Sequence, residues 1–149
     1  MVQNISTATA EKFRIGELCL KKYKYWWVLL RVSQATLGSL VLINTTGRTD
    51  FGDLTEEEAA ELAPITKEIE AVLRRVFSFD KINYLMLRMK DPEVHFHIIP
   101  RYSSLRTFNG REFLDKNWPV LGDSLNNSIP MSEEELMGLY SYLAKELGG

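Results

Sequence analysis

Cysteine is almost missing from this chain. Cys19 is the only one in 149 residues, so no internal disulfide can form, and a lone cysteine is more often buried filler than nucleophile. Histidine is nearly as scarce, with two residues, and proline contributes five. No apolar run reaches the length needed to span a bilayer, and no basic-then-apolar leader opens the chain. The expectation is a cytoplasmic protein with no membrane partner. Charge of one sign is lacking too: 18 Lys and Arg against 20 Asp and Glu give a net charge of −2. A dedicated nucleic-acid binder would show a basic excess, so no nucleic-acid partner is expected, although a local basic cluster can still meet a phosphate. Asn4, Asn44 and Asn126 begin glycosylation-like triplets, which mean nothing without a secretory route.

What is present is ordinary for one folded domain, with 45% hydrophobic and 26% charged residues. Length alone allows a substantial core within a single domain spanning 1–149. Residues 1–10 are small and polar and are expected to fray. From Phe13 to Leu20 the pattern does not choose between helix and strand. Tyr23 to Val32 is rich in strand formers and nearly continuously apolar, as in a strand covered on both faces. After a Ser33–Gly38 turn, Ser39 to Ile43 reads as its antiparallel partner, followed by an Asn44–Gly52 loop.

Thr55-Glu56-Glu57-Glu58 has capping-box spacing and opens a helix. Leu62, Ile65, Ile69, Val72 and Val76 form its apolar stripe. Pro64, inside that stripe, is expected to kink the helix or split it. Ile82 to Met89 reads as a strand, and Asp91-Pro92 as a turn into the next one. Residues 102–130 are loop-rich. Ser132 to Glu135 forms a second capping box before a terminal helix carrying Leu136, Leu139, Leu143 and Leu147. Strands followed by helices in this order indicate an α+β domain, an antiparallel sheet with helices packed on it.

Chemistry concentrates in Glu93-Val94-His95-Phe96-His97-Ile98-Ile99-Pro100-Arg101. Polar and apolar residues alternate here, as in a half-buried strand. Successive strand side chains point to opposite faces, which sends Val94, Phe96 and Ile98 to the core and Glu93, His95, His97 and Ile99 to the other side. Pro100 is expected to end the ladder or sit at its edge. Three readings suit both histidines beside a carboxylate. A neutral imidazole can attack phosphorus while a second group fixes its tautomer. A His/His/Glu set can bind zinc. Or the face is simply polar, with two hydrogen-bonded histidines.

His95-Phe96-His97-Ile98-Ile99-Pro100-Arg101 resembles the second half of the histidine-triad (HIT) signature, His-φ-His-φ-His-φ-φ, which is commonly followed by Pro-Arg. The resemblance extends over residues 25–101, through the Leu40–Ile43 strand and the helix start at Asp53–Glu58. It implies a HIT-like antiparallel sheet with a long central helix and a C-terminal helix, usually in a homodimer. It also implies a nucleotide partner, no cofactor and no metal at the histidines. The activity implied is a nucleotide hydrolase or nucleotidyl transferase. His95 would be the nucleophile that forms a nucleotidyl-histidine intermediate, and His97 would support the phosphate. The alternative is a catalytically impaired nucleotide-binding or interaction module.

The sequence departs from the family pattern at Glu93, which replaces the first histidine. As a catalytic candidate it could accept a hydrogen bond from an imidazole and raise its basicity. It would also repel an incoming phosphate, and repulsion is expected to win for a polyanion. The family's Gly- and Gln-containing hairpin is shortened to Arg88-Met89-Lys90-Asp91-Pro92, where Arg88 or Lys90 could supply phosphate contacts by charge. Asn44-Thr45-Thr46-Gly47-Arg48 replaces a basic, histidine-containing cluster after the second strand. A base pocket is expected from the Trp26–Ile43 strands, with Asn44 or Asn83 giving polar contacts. Of the adjacent tryptophans, one should enter the core and the other serve that pocket or a dimer interface. Arg101 reads as a structural ion pair.

Overall fold

The computed structural model describes residues 3–148. Five antiparallel strands form the central sheet: β1 (Cys19–Lys22), β2 (Trp26–Leu30), β3 (Leu40–Asn44), β4 (Lys81–Leu85) and β5 (His95–Arg101). Their spatial order is β1-β2-β3-β5-β4, so the histidine strand lies between two neighbours. A long helix, α3 (Glu56–Phe77), connects β3 to β4, and α4 (Glu133–Glu146) closes the chain. The α+β architecture expected from the sequence is the one observed.

Side-chain parity sorts the sheet into two faces. Trp26, Val28, Leu30, Leu40, Leu42, Val94 and Ile98 join Ile65, Ile69 and Leu73 of α3 and Leu139 and Leu143 of α4 in the main core. Trp27, Leu29, Val41 and Ile43 face the other way, where Ile5, Phe13 and Ile15 cover them. Both tryptophans are therefore buried. Trp27 lies beneath the N-terminal segment with Lys22 over its ring at 4.4 Å, and it contributes to no base pocket.

That covering segment corrects the expectation of a frayed start. Ser6 caps α1 (Thr7–Lys12), its hydroxyl accepting from the Thr9 N–H. Ile5 and Thr9 are buried. The composition of residues 1–10 is that of a loose tail, but the described ones find partners in Glu93 and in the Trp27–Ile43 strands, which local pattern cannot show. Residues 13–20, which fit neither period, divide into α2 (Ile15–Leu18) and β1.

Pro64 neither ends nor splits α3, which runs unbroken through it. It sits on the exposed side, where the carbonyl four residues back, left without a helical donor, can be hydrated. Thr55 caps α3 by accepting from the Glu58 N–H. The Glu58 carboxylate does not complete the expected box, because it is used elsewhere. Ser132 and Glu135 do form the full reciprocal box at α4. In the loop-rich stretch a small hairpin forms from β6 (Arg106–Phe108) and β7 (Arg111–Phe113). Among the described residues no helix is long and apolar enough to cross a membrane.

Candidate active site

The hairpin between β4 and β5 is present, but both of its strands are shorter at the connecting end than the sequence suggests. β4 stops at Leu85 and β5 starts at His95. His95 pairs with Ile43 of β3, and His97 with Val41 of β3 and Leu85 of β4. Both imidazoles consequently share the sheet face of Trp27, Leu29, Val41 and Ile43, the outcome that alternation requires. Their ring centroids are 5.2 Å apart and nearly perpendicular, and Phe13 lies 5.6 Å from His95. Pro100 lies inside β5, pairing with Ile82 of β4. On the β3 side the ladder has already ended at the Leu40–Ile98 pair, so its missing N–H breaks no bond there.

In front of the two rings is a cavity of about 440 Å³. Its apolar wall comes from Phe13, Val32, Leu87, Met89 and Leu125, and its charge from Lys12, Arg31, Lys90 and Asp91. No residue of β2 or β3 lines this cavity, because Ile5, Phe13 and Ile15 cover their side chains on that face. From the Trp26–Ile43 stretch only the connection Arg31–Ser33 reaches it, and the rest of the wall comes from segments that border the sheet.

The two histidines are held in different ways. His95 Nδ1 lies 2.7 Å from the backbone carbonyl of Glu93. A carbonyl can only accept, so Nδ1 carries a proton, and in the neutral ring the lone pair is on Nε2. His97 Nδ1 instead faces the Nε of Arg31 at 3.4 Å. Burial pushes the His97 pKa down to about 4, and the neighbouring charges of Arg31 and His95 add to the effect. His97 is therefore neutral at physiological pH.

Glu93 lies on the side that alternation predicts: Val94 enters the main core, and the Glu93 carboxylate meets α1, which covers the histidine face. The carboxylate does not line the cavity. It turns to the N-terminal segment and accepts from the Ser6 N–H and the Thr9 hydroxyl, each at 2.7 Å. Burial alone would raise its pKa, but these hydrogen bonds outweigh that and hold it below the ordinary carboxylate range. Among the described residues it does not join the two histidines in a metal-binding set. Glu93→Gln keeps the shape but presents an amide to these donors. It is expected to loosen the anchoring of α1 by about 1–3 kcal/mol, seen as faster amide hydrogen exchange across residues 6–13. Unchanged exchange there would overturn this role.

Of the four residues expected to contact substrate, Lys90 lines the cavity and the other three do not. Asn44 is fully buried on the α3 side. Its amide donates to Glu58 at 2.7 Å, and its oxygen accepts from Thr46 and from the Arg48 N–H. Together with Thr46 and Arg48 it satisfies the Glu58 carboxylate, which falls to a pKa of about 2 although burial opposes that. Asn44 thus locks the loop after β3 onto α3 and has nothing free for a ligand. Asn83 accepts from Arg101 at 3.1 Å. Arg88 pairs with Asp50 at 2.8 Å and does not line the cavity. The three share one feature: other protein groups already engage each of them, Asn44 through Thr46, Arg48 and Glu58, Asn83 through Arg101, and Arg88 through Asp50.

Sequence reasoning overlooked Lys12 and Arg31. Lys12 reaches Asp91 at 2.9 Å across the cavity mouth. Arg31 follows β2 and continues the parity of Trp27 and Leu29, which would have placed it on the histidine face had the strand end been known.

Comparison with known proteins follows the geometry. The family model described as HIT domain matches residues 20–104. No curated protein matches the sequence. Among solved structures, a histidine triad protein from Sinorhizobium meliloti is similar at TM-score 0.73, with 18% identity over 98% of this chain and 99% of that one. Another, from Marinobacter aquaeolei, gives TM-score 0.70 and 20% identity over 93% of each chain. The diadenosine triphosphate hydrolase of Plasmodium falciparum gives TM-score 0.64 and 14% identity, over 89% of this chain and 77% of that one.

Proposed function

The chain belongs to the histidine-triad family, and on that premise we propose that it cleaves or transfers a nucleoside phosphate through a covalent intermediate on His95. A nucleotide-directed function is what the family match and the hydrolase among the structural neighbours support in common. The observation that carries the finer reading is the 2.7 Å contact between His95 Nδ1 and the Glu93 carbonyl. It puts the proton on the rear nitrogen and leaves the Nε2 lone pair in a ring that lines the cavity.

From there the chemistry balances simply. The Nε2 lone pair attacks the phosphorus bearing the nucleoside, a P–N bond forms, and the bond from phosphorus to the leaving oxygen or nitrogen breaks. The leaving oxygen or nitrogen takes a proton from solvent, and the attacking water or hydroxyl returns one to solvent in the second step. Water, or an acceptor hydroxyl, then attacks the same phosphorus and releases His95. Arg31, half-buried, and the exposed Lys12 and Lys90 oppose the charge that builds on the phosphoryl oxygens, most strongly where water is partly excluded. Phe13, Leu87, Met89 and Leu125 offer an apolar bed for a base. The loss of the first triad histidine favours a second reading, a nucleotide-binding module without turnover.

One experiment separates the two. Purified protein is incubated with diadenosine polyphosphates and with adenosine phosphoramidate, and the release of mononucleotide is followed by chromatography. Turnover is expected. Mononucleotide binding with no turnover across the panel would reject the enzymatic reading in favour of the second. The homodimer implied by the family belongs to the same proposal, and sedimentation giving only the 17.2 kDa monomer would reject it.

A further inference from the structure

His95 and His97 meet the cavity from one strand face, yet the groups behind them are opposite in kind. Behind His95 stands a carbonyl, which only accepts. Behind His97 stands a guanidinium, which only donates. We infer that Arg31 is the positioning residue of the pair, fixing His97 as the tautomer with a bare Nδ1 and its proton on Nε2. The two rings then show the cavity complementary functions, a lone pair from His95 and an N–H from His97. This inference rests on the proposed function for its purpose, since an N–H beside the nucleophile is suited to a phosphoryl oxygen or a leaving atom.

Arg31 is held for that task by contacts that do not involve the histidine. Its Nη1 donates to the Ser33 carbonyl at 2.5 Å and its Nη2 to the Leu125 carbonyl at 2.9 Å. The guanidinium is planar and rigid, so anchoring the two terminal nitrogens also orients Nε–H. The contact to His97 is long, and its value lies in direction: a donor in that place excludes the tautomer with a proton on Nδ1. A merely structural Arg31 would staple the Leu125 loop to the end of β2 and leave the imidazole free to choose.

The chain has only two histidines, so imidazole ¹⁵N spectra resolve each ring. Assignment comes from His97→Gln. In the wild-type protein the two rings are expected to show opposite tautomers at neutral pH, with His97 titrating well below the ordinary histidine range. The other charges facing His97 are Lys12 on α1, Lys90 and Asp91 on the loop before β5, and His95 beside it; β3 and β4 present Val41 and Leu85. Arg31→Met removes both donor and charge. It is expected to give His97 a mixture of tautomers and to raise its midpoint by about one unit. Arg31→Lys keeps the charge but loses the planar donor, and should mix the tautomers while the midpoint stays low. A wild-type His97 protonated on Nδ1 overturns the inference without any variant. So do unchanged His97 signals in Arg31→Met or Arg31→Lys when the backbone spectrum is intact. Because no substrate is added, absence of turnover and absence of this tautomer pattern are separate failures.

Discussion

His95→Ala is expected to remove nucleotide turnover, lowering kcat/KM by on the order of 10³- to 10⁶-fold, the range seen when a covalent nucleophile is lost. Mononucleotide affinity should change only a few-fold, because the cations and the apolar wall of the cavity remain. The size of the effect follows from the chemistry: without Nε2 there is no atom to form the first P–N bond, and the residual rate comes from binding and electrostatics alone. The substitution also opens space in a packed setting. His95 is 2% exposed and touches Phe13 and His97. His95→Gln therefore accompanies it, retaining most of the volume. Both variants should fold and both should be inactive. Mass spectrometry of acid-sensitive adducts after a rapid quench should find one nucleotidyl group on the wild-type protein and none on either variant. Turnover in His95→Gln within tenfold of wild type would remove His95 from the role of nucleophile.

The second large effect concerns stability. Arg101 and Asp115 form an almost completely buried ion pair, with Nε to Oδ2 at 2.7 Å and Nη2 to Oδ1 at 3.3 Å. Arg101 also donates to Asn83 and to the Val120 carbonyl, while Asp115 accepts from the Tyr102 N–H. The pair ties residues 115–120 to the end of the histidine strand. Asp115→Ala leaves a guanidinium in the interior with no opposite charge, a change that costs about 3–5 kcal/mol. At this chain length that corresponds to a fall in Tm of roughly 6–20 °C. The double variant Arg101→Met with Asp115→Ala removes both charges, and its loss should be smaller than the sum of the two single losses. Urea unfolding reads all three. A midpoint shift for Asp115→Ala equivalent to less than about 1 kcal/mol, or strictly additive losses, would show that the pair is solvated and does not clamp the loop.

Arg101 shows how far the sequence could be read. Its position after Pro100 suggested a structural ion pair, and it makes one. Its partner lies 14 residues on in a stretch without periodicity, and nothing local identifies Asp115. The strands around Trp26–Leu30 and Leu40–Ile43, the long capped helix and the terminal helix were all legible, because each follows from a repeat of hydrophobicity or from a cap within a few residues. Residues 3–10 were not. Ser6 and Thr9 gain their order from Glu93, more than 80 residues away, and Ile5 from the sheet face of Trp27, Leu29, Val41 and Ile43. Alternation gave the side of Glu93 correctly but not its engagement: Ser6 and Thr9 take its carboxylate, and no local pattern identifies them.

The order of residues therefore determined, on its own, that a sheet covered by helices would form and that His95 and His97 would share one of its sides. Both follow from short-range geometry, the period of the strand and the period of the helix. Tertiary structure decided which groups stand behind each imidazole, which cations reach the cavity, and that Asn44, Asn83 and Arg88 are spent on the protein itself. Those outcomes depend on which distant donors and acceptors come within 3 Å or so of each other, a quantity that only the folded chain contains.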